Sequence, residues 1–217
     1  MITPGVLFDM DGVIVHTNPF HKEAIQRFCA DHGLSASEDF LRKHVYGRTN
    51  KEWIPEVFGR ALSSKELAQY ADEKESLFRE LFLPHLSEVA GFTEFIDRLI
   101  SQNINLAVAT SAPCENAEFI LRGLGIYDRF DAVLDSSHVD NGKPDPEVYL
   151  KAARALGLPA DQCIVFEDSL AGVRAGLAAG CKVVGVTTTH TVEELSACHL
   201  QTSDFGGLTA DDLRSLF

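Results

Sequence analysis

Apolar residues fall into two patterns along this chain. Short, mainly apolar runs lie at Val6-Leu7-Phe8, at 104–109, at 131–134, at 162–166 and at 181–186. Runs of that length read as strands covered on both faces, as in a parallel sheet. Between them, apolar positions recur at helical spacing over 92–101, 115–125, 146–156 and from Ser169 to Gly180. Leu124-Gly125 is a helix-end signal, Pro146 sits near a first helical position, and Ser169 is placed to cap. Two short helices are expected at 192–197 and 210–217. Strands alternating with helices predict a parallel sheet with helices on both faces.

One interval breaks the alternation. The first strand, 5–10, is followed by helical pattern until 104, whereas a simple βαβ unit returns within about 30–40 residues. The excess predicts an inserted helical domain over 17–83, with Pro19 and Pro84 marking the crossings. The remaining core is 1–16 plus 84–217. Inside the insertion, Asn18 reads as a cap with Pro19 at the first helical position. Phe20, Ala24, Phe28 and Cys29 form a stripe that stops at Gly33. A second helix is expected over 37–47. Ser63 and Glu66 have capping-box spacing. Leu67, Tyr70, Ala71, Lys74, Leu77, Phe78, Leu81 and Phe82 then recur as one face, read as bundle core.

Polar residues at the strand ends change the picture. In open α/β sheets, ligands sit beyond the carboxyl ends of the strands. Asp9-Met10-Asp11-Gly12 ends the first strand, Thr110-Ser111 another and Glu167-Asp168-Ser169 a third, while Lys143 lies within Gly142-Lys143-Pro144-Asp145-Pro146. Each alone has a plain alternative. Asp-Gly makes a turn, Thr-Ser ends a strand, a loop lysine is solvated, and acids favour a helix N-terminus. Together they suit phosphoryl chemistry. A carboxylate such as Asp9 can attack phosphorus. Mg²⁺, which prefers carboxylate and phosphate oxygens, would relieve the repulsion between the two anions, with Asp9 and Asp168 as ligands. Lys143 supplies fixed positive charge, Thr110 and the amides after it hold phosphate oxygens, and Asp11 can move a proton.

Composition narrows the partners. The 217 residues carry a formal net charge of −13, which disfavours nucleic acid and anionic membranes. The five cysteines are scattered without a CxxC, which suggests free thiols in a reducing compartment. No histidine or cysteine cluster has zinc spacing. No apolar run reaches membrane-spanning length, and the first strand begins too early for a leader, so a cytoplasmic protein is expected. The oligomeric state is not legible, and a monomer is the working expectation.

These motifs, in this order, resemble the four motifs of the haloacid dehalogenase superfamily, and the nearest branch is that of β-phosphoglucomutase and related sugar-phosphate phosphatases. The resemblance implies an α/β, Rossmann-like three-layer core with a parallel sheet and a small helical cap. It implies Asp9 as nucleophile and Mg²⁺ ligand. Asp11 becomes acid/base with its carbonyl on the metal, Thr110 (with Ser111) the phosphate-binding hydroxyl, and Lys143 the residue steadying nucleophile and phosphate. Asp168 becomes a direct metal ligand, and Glu167 beside it a metal residue acting through water. His16 stands where the branch usually has an acid, and His21 matches a common histidine. Asn50 occupies the position of the mutase's phosphate-gripping arginine, with Arg48 displaced nearby; these four are the cap candidates for substrate contact. The expected activity is Mg²⁺-dependent hydrolysis of a small phosphorylated metabolite, with a phosphohexomutase as the alternative.

Overall fold

A computed structural model describes residues 3–34, 37–45 and 49–217. Contacts divide the chain into two compact units, Met1–His16 with Leu86–Phe217, and Thr17–His85.

The first unit is built on a six-stranded sheet in the order β3-β2-β1-β4-β5-β6. The strands are β1 (Gly5–Phe8), β2 (Leu106–Ala109), β3 (Ala132–Leu134), β4 (Cys163–Glu167), β5 (Lys182–Val186) and β6 (Leu200–Thr202), all paired in parallel. Alternation along β1 divides the two faces. Leu7 joins Val165, Val183 and the buried side chains Val148, Tyr149, Ala152 and Val173. Phe8 points the other way, edge-on to Phe92 at 5.1 Å and stacked on Phe166 at 5.0 Å. Helices therefore cover both faces, which is the three-layer α/β architecture expected.

The elements depart from the sequence expectations in a few places. β1 stops at Phe8 rather than residue 10, because the Met10 carbonyl accepts the amides of Val13, Ile14 and Val15 and closes a turn. No helix forms at 192–197; those residues are turns. The polar side chain of Gln201 donates to the carbonyls of Val192 and Leu195, which a continuing helix would have used. β6 follows. It has no apolar run, being three half-buried residues, and so gave no strand pattern.

The second unit is helical. Numbering all helices in chain order, it holds α1 (Asn18–Asp31), α2 (Glu38–His44), α3 (Asn50–Phe58) and α4 (Ser64–Phe82). α1 begins one residue earlier than expected, with Thr17 rather than Asn18 at the cap position. α2 ends at His44; Gly47, the expected stop, lies outside the described residues. α3 runs through Pro55 and ends on Gly59 at φ 61°. Ser63 and Glu66 form the capping box that starts α4. Ile25, Phe28, Cys29, Leu41, Trp53 and Ile54 make the core of this unit. Lys74, placed by its spacing in the apolar stripe, is indeed buried, but as part of an ion pair with Glu75 at 2.8 Å. The first unit adds α5 (Phe92–Ser101), α6 (Cys114–Gly123), α7 (Glu147–Ala155), α8 (Leu170–Ala178) and α9 (Ala210–Arg214).

Candidate active site

Parallel register brings the polar strand ends together. Phe8 pairs with Val108 on one side and Phe166 on the other, so Asp9 emerges beside Ala109 and Glu167. The Asp9 amide still donates to the Phe166 carbonyl at 3.0 Å, which holds the nucleophile candidate in the ladder. Lys143 reaches this point from the loop before α7. Its Nζ donates to Asp9 Oδ1 at 2.8 Å, to Glu167 Oε1 at 2.7 Å and to the Ala109 carbonyl at 3.2 Å. An ammonium has three donors, and all three are engaged. The lysine therefore holds Asp9 directly.

Glu167 is equally committed. Its Oε1 accepts from Lys143 and from the Tyr149 hydroxyl at 2.8 Å. Its Oε2 accepts from both the amide and the hydroxyl of Ser169, each at 3.0 Å. Those contacts fill the roughly four acceptor sites of a carboxylate. Gly172 leaves the room needed, since a Cβ there would stand 1.6 Å from Glu167 Oε1. Ser169 also caps α8, accepting from the Gly172 amide at 3.0 Å.

Asp168 is held from the loop after β5. Thr189 donates its hydroxyl to Asp168 Oδ2, His190 donates Nδ1–H to the Asp168 carbonyl at 3.0 Å, and Thr188 donates to the Gly12 carbonyl. Only the protonated Nδ1 can meet a carbonyl, so the partner assigns the tautomer. One loop thus grips both the turn after β1 and the acid after β4.

Electrostatics sets the character of the site. Asp9, Glu167 and Asp168 are buried, and each offers an oxygen within 4.8 Å of the others. One ammonium faces three carboxylates. Burial raises the Asp9 pKa well above the ordinary range; Lys143 opposes this, and Glu167, Asp168 and Asp11 add to it. Burial and then the Glu167 charge push Asp168 up to about 7. Burial also works against Glu167, yet Lys143 beside it keeps that carboxyl below its usual value. Lys143 is desolvated but is raised by Asp9 and Glu167, so it stays charged. Burial and Glu167 raise the Tyr149 pKa well above its usual value, so the hydroxyl remains a donor. The cluster is short of positive charge, and its hard oxygen donors suit a small divalent cation.

The other expected residues are placed less uniformly. Asp11, half-buried in the same turn, adds its charge to those felt by Asp9 and Asp168. Thr110 is buried at the end of β2, where its Oγ1 accepts the Ala112 amide at 3.0 Å; Ser111 is exposed. His16 is exposed. In the helical unit, His21 stacks on Phe78 with centroids 3.7 Å apart, and its Nδ1 accepts from Lys74 Nζ at 3.0 Å. The Asn50 amide donates to Glu75 at 2.8 Å and accepts from the Trp53 indole at 3.0 Å. Arg48 lies outside the described residues. Sequence reasoning missed Tyr149, Thr188, Thr189 and His190. The threonines carried the usual signal, polar residues just past a strand end. Tyr149 carried none, since an aromatic on a helix face reads as core.

A sheet of this topology with acids and a lysine at its carboxyl end is the arrangement of a phosphoryl-transfer enzyme of the haloacid dehalogenase type. The family model described as haloacid dehalogenase-like hydrolase matches residues 6–186. The chain belongs to that family, and within it to the phosphoric monoester hydrolases. It is 36% identical over 188 residues to a phosphorylated carbohydrates phosphatase of Thermotoga maritima, covering 84% of each chain. It is 33% identical over 204 residues to the validoxylamine A 7'-phosphate phosphatase of Streptomyces hygroscopicus subsp. limoneus, covering 91% of this chain and 92% of that one. A solved structure of β-phosphoglucomutase from Clostridium difficile superposes with a TM-score of 0.85 at 27% identity, covering 100% of this chain and 97% of that one.

Proposed function

We propose that the chain is a Mg²⁺-dependent phosphatase that hydrolyses a small phosphorylated metabolite of the sugar-phosphate class through an aspartyl-phosphate intermediate. The observation that carries this reading is the single ammonium of Lys143 shared between Asp9 and Glu167, with Asp168 alongside. Asp9 and Asp168 would hold Mg²⁺ with the Asp11 carbonyl, and the ion supplies charge neutralisation for two approaching anions. We assign Glu167 to Lys143 rather than to the ion, because its acceptor sites are already filled.

In the first step an Asp9 carboxylate oxygen attacks phosphorus and the bond to the ester oxygen breaks. The departing oxygen takes a proton from Asp11. In the second step Asp11 takes a proton from water, whose oxygen attacks the same phosphorus. The bond to Asp9 breaks, and inorganic phosphate leaves. Lys143 keeps Asp9 aimed in both steps, and Thr110 with the amides beyond it holds the phosphoryl oxygens.

The mutase is the second reading, favoured by the likeness to β-phosphoglucomutase. Against it stands Asn50, whose neutral amide is bonded to Glu75 and Trp53 and offers no cation for a second phosphate. The substrate contacts proposed for the helical unit, His21 and Arg48 among them, together with His16, remain part of this reading. The free state of all five cysteines supports a reducing compartment, and among the described residues no helix is long and apolar enough to cross a membrane.

The test is phosphate release from a panel of phosphorylated sugars and related metabolites in Mg²⁺. Release from sugar phosphates is expected. Glucose 6-phosphate formed from β-glucose 1-phosphate with a catalytic bisphosphate would instead establish the mutase.

A further inference from the structure

Tyr149 is the third residue of α7 and is fully buried. Nothing in the chemistry proposed above uses it. A tyrosine buried only for packing needs a partner for its hydroxyl, and any carbonyl would serve. Here the partner is the carboxylate that carries Lys143. The hydroxyl donates to Glu167 Oε1, the same oxygen that accepts from Lys143 Nζ. The ring contributes as well, since the ammonium lies 4.9 Å from its centroid. A desolvated ammonium over an aromatic face is attracted to it. One side chain therefore touches both members of the Lys143–Glu167 pair, from the side facing the core.

We propose that Tyr149 is a positioning residue for the reaction: its hydroxyl fixes the Glu167 carboxylate and its ring supports the Lys143 ammonium, so that Lys143 stays directed at Asp9 Oδ1. This rests on the phosphatase reading given above. With the hydroxyl present, Glu167 has four donors for about four acceptor sites and cannot turn. Without it, Oε1 has an open acceptor site, and the carboxylate can swing and draw the ammonium away from Asp9. The aim of the nucleophile then loosens, while Thr110 and the amides beyond it are untouched.

The test is Tyr149→Phe, which removes one atom and keeps the ring in the core. Turnover of the best substrate should fall about tenfold, the scale of one hydrogen bond to a charged group, with KM within about twofold of the native value. A second measurement does not need turnover. The ammonium proton–nitrogen NMR signal of Lys143, assigned by its loss in Lys143→Met, should shift and exchange faster with water in Tyr149→Phe. Native kcat together with an unmoved Lys143 signal would reduce Tyr149 to a core residue and overturn the proposal. If the native protein releases phosphate from no ester, the phosphatase reading fails, and the NMR comparison still decides whether Tyr149 directs Lys143.

Discussion

Gly12 and Asp168 stand so close that a Cβ on residue 12 would lie 1.9 Å from Asp168 Oδ2. Residue 12 also has φ of 80°, a left-handed conformation costly to any side chain. Gly12→Ala should therefore do two things. It should lose about 1–2 kcal/mol from the backbone alone, and it should push Asp168 off its position against the Thr189 hydroxyl. Activity should drop by far more than the stability loss explains. Near-native turnover in phosphate-release assays would mean that the turn can give way without moving Asp168.

Asp9→Asn should abolish turnover, because an amide cannot attack phosphorus as a carboxylate does. The same change removes one of three buried carboxyls clustered around a single ammonium. The melting temperature without divalent ion should thus hold or rise rather than fall. Calorimetry alongside the assay checks both halves, and substantial residual turnover would point to direct attack by water.

The proposed Mg²⁺ and pH would act on the same cluster. The folded-state pKa of Asp168, about 7, lies above the unfolded value near ~3.9. Between those limits the folded chain binds a proton that the unfolded chain has released. Without divalent ion, stability should therefore fall as pH rises from about 4 through 7. Mg²⁺ should reverse that trend. At about 100 times its dissociation constant it should add ~2.7 kcal/mol, or about 5–10 °C in melting temperature for a chain this size. A chelator should silence the enzyme and added Mg²⁺ restore it. Full activity in excess chelator would remove the ion from the mechanism.

The helical unit has its own buried charges. Burial works against ionisation of Glu75, but Lys74, His21 and the Asn50 amide hold its carboxyl below the usual value. A depressed acid stabilises the fold above its unfolded pKa, near ~4.3, and that contribution disappears as pH falls through the lower folded value. Glu75→Ala removes the carboxylate partner of the buried Lys74 ammonium and should cost about 3–5 kcal/mol. Native protein should lose helical signal on acidification, and the variant should begin with that loss at neutral pH. An unchanged thermal midpoint in Glu75→Ala would show that Lys74 finds another partner.

Much of this was written plainly in the chain. The apolar runs around Leu7, Val108 and Val165 could only be buried strands, and an acid just past such a run has one direction to go. Asp9, Glu167 and Asp168 were legible for that reason, and Lys143 through its motif. What was not legible depends on distances between elements remote in sequence. Tyr149 and Glu167 are eighteen residues apart and meet only because α7 packs across β1, β2 and β3, next to β4. Spacing places Lys74 at one more position on an apolar face and cannot tell a buried pair from a buried hydrocarbon. The Asn50 position drew attention for the arginine it lacks, whereas its partners Glu75 and Trp53 explain what the amide does in this chain. β6 was invisible because its three residues are paired on one side only and never fully buried.

The central place of β1 has a consequence for how the molecule is made. Its neighbours in the sheet are β2, about a hundred residues later, and β4, which ends at Glu167. A ribosome adds residues at roughly 5–20 per second, so β1 emerges several seconds before the strands that will flank it. Through that interval Asp9 has neither Lys143 nor Glu167 nor Asp168. A nascent chain can form the helices that follow β1, but it cannot assemble the cluster of Asp9, Lys143, Glu167 and Asp168 until residue 168 is free of the ribosome. Truncated translation products ending before that point should therefore leave the cell's phosphate esters untouched.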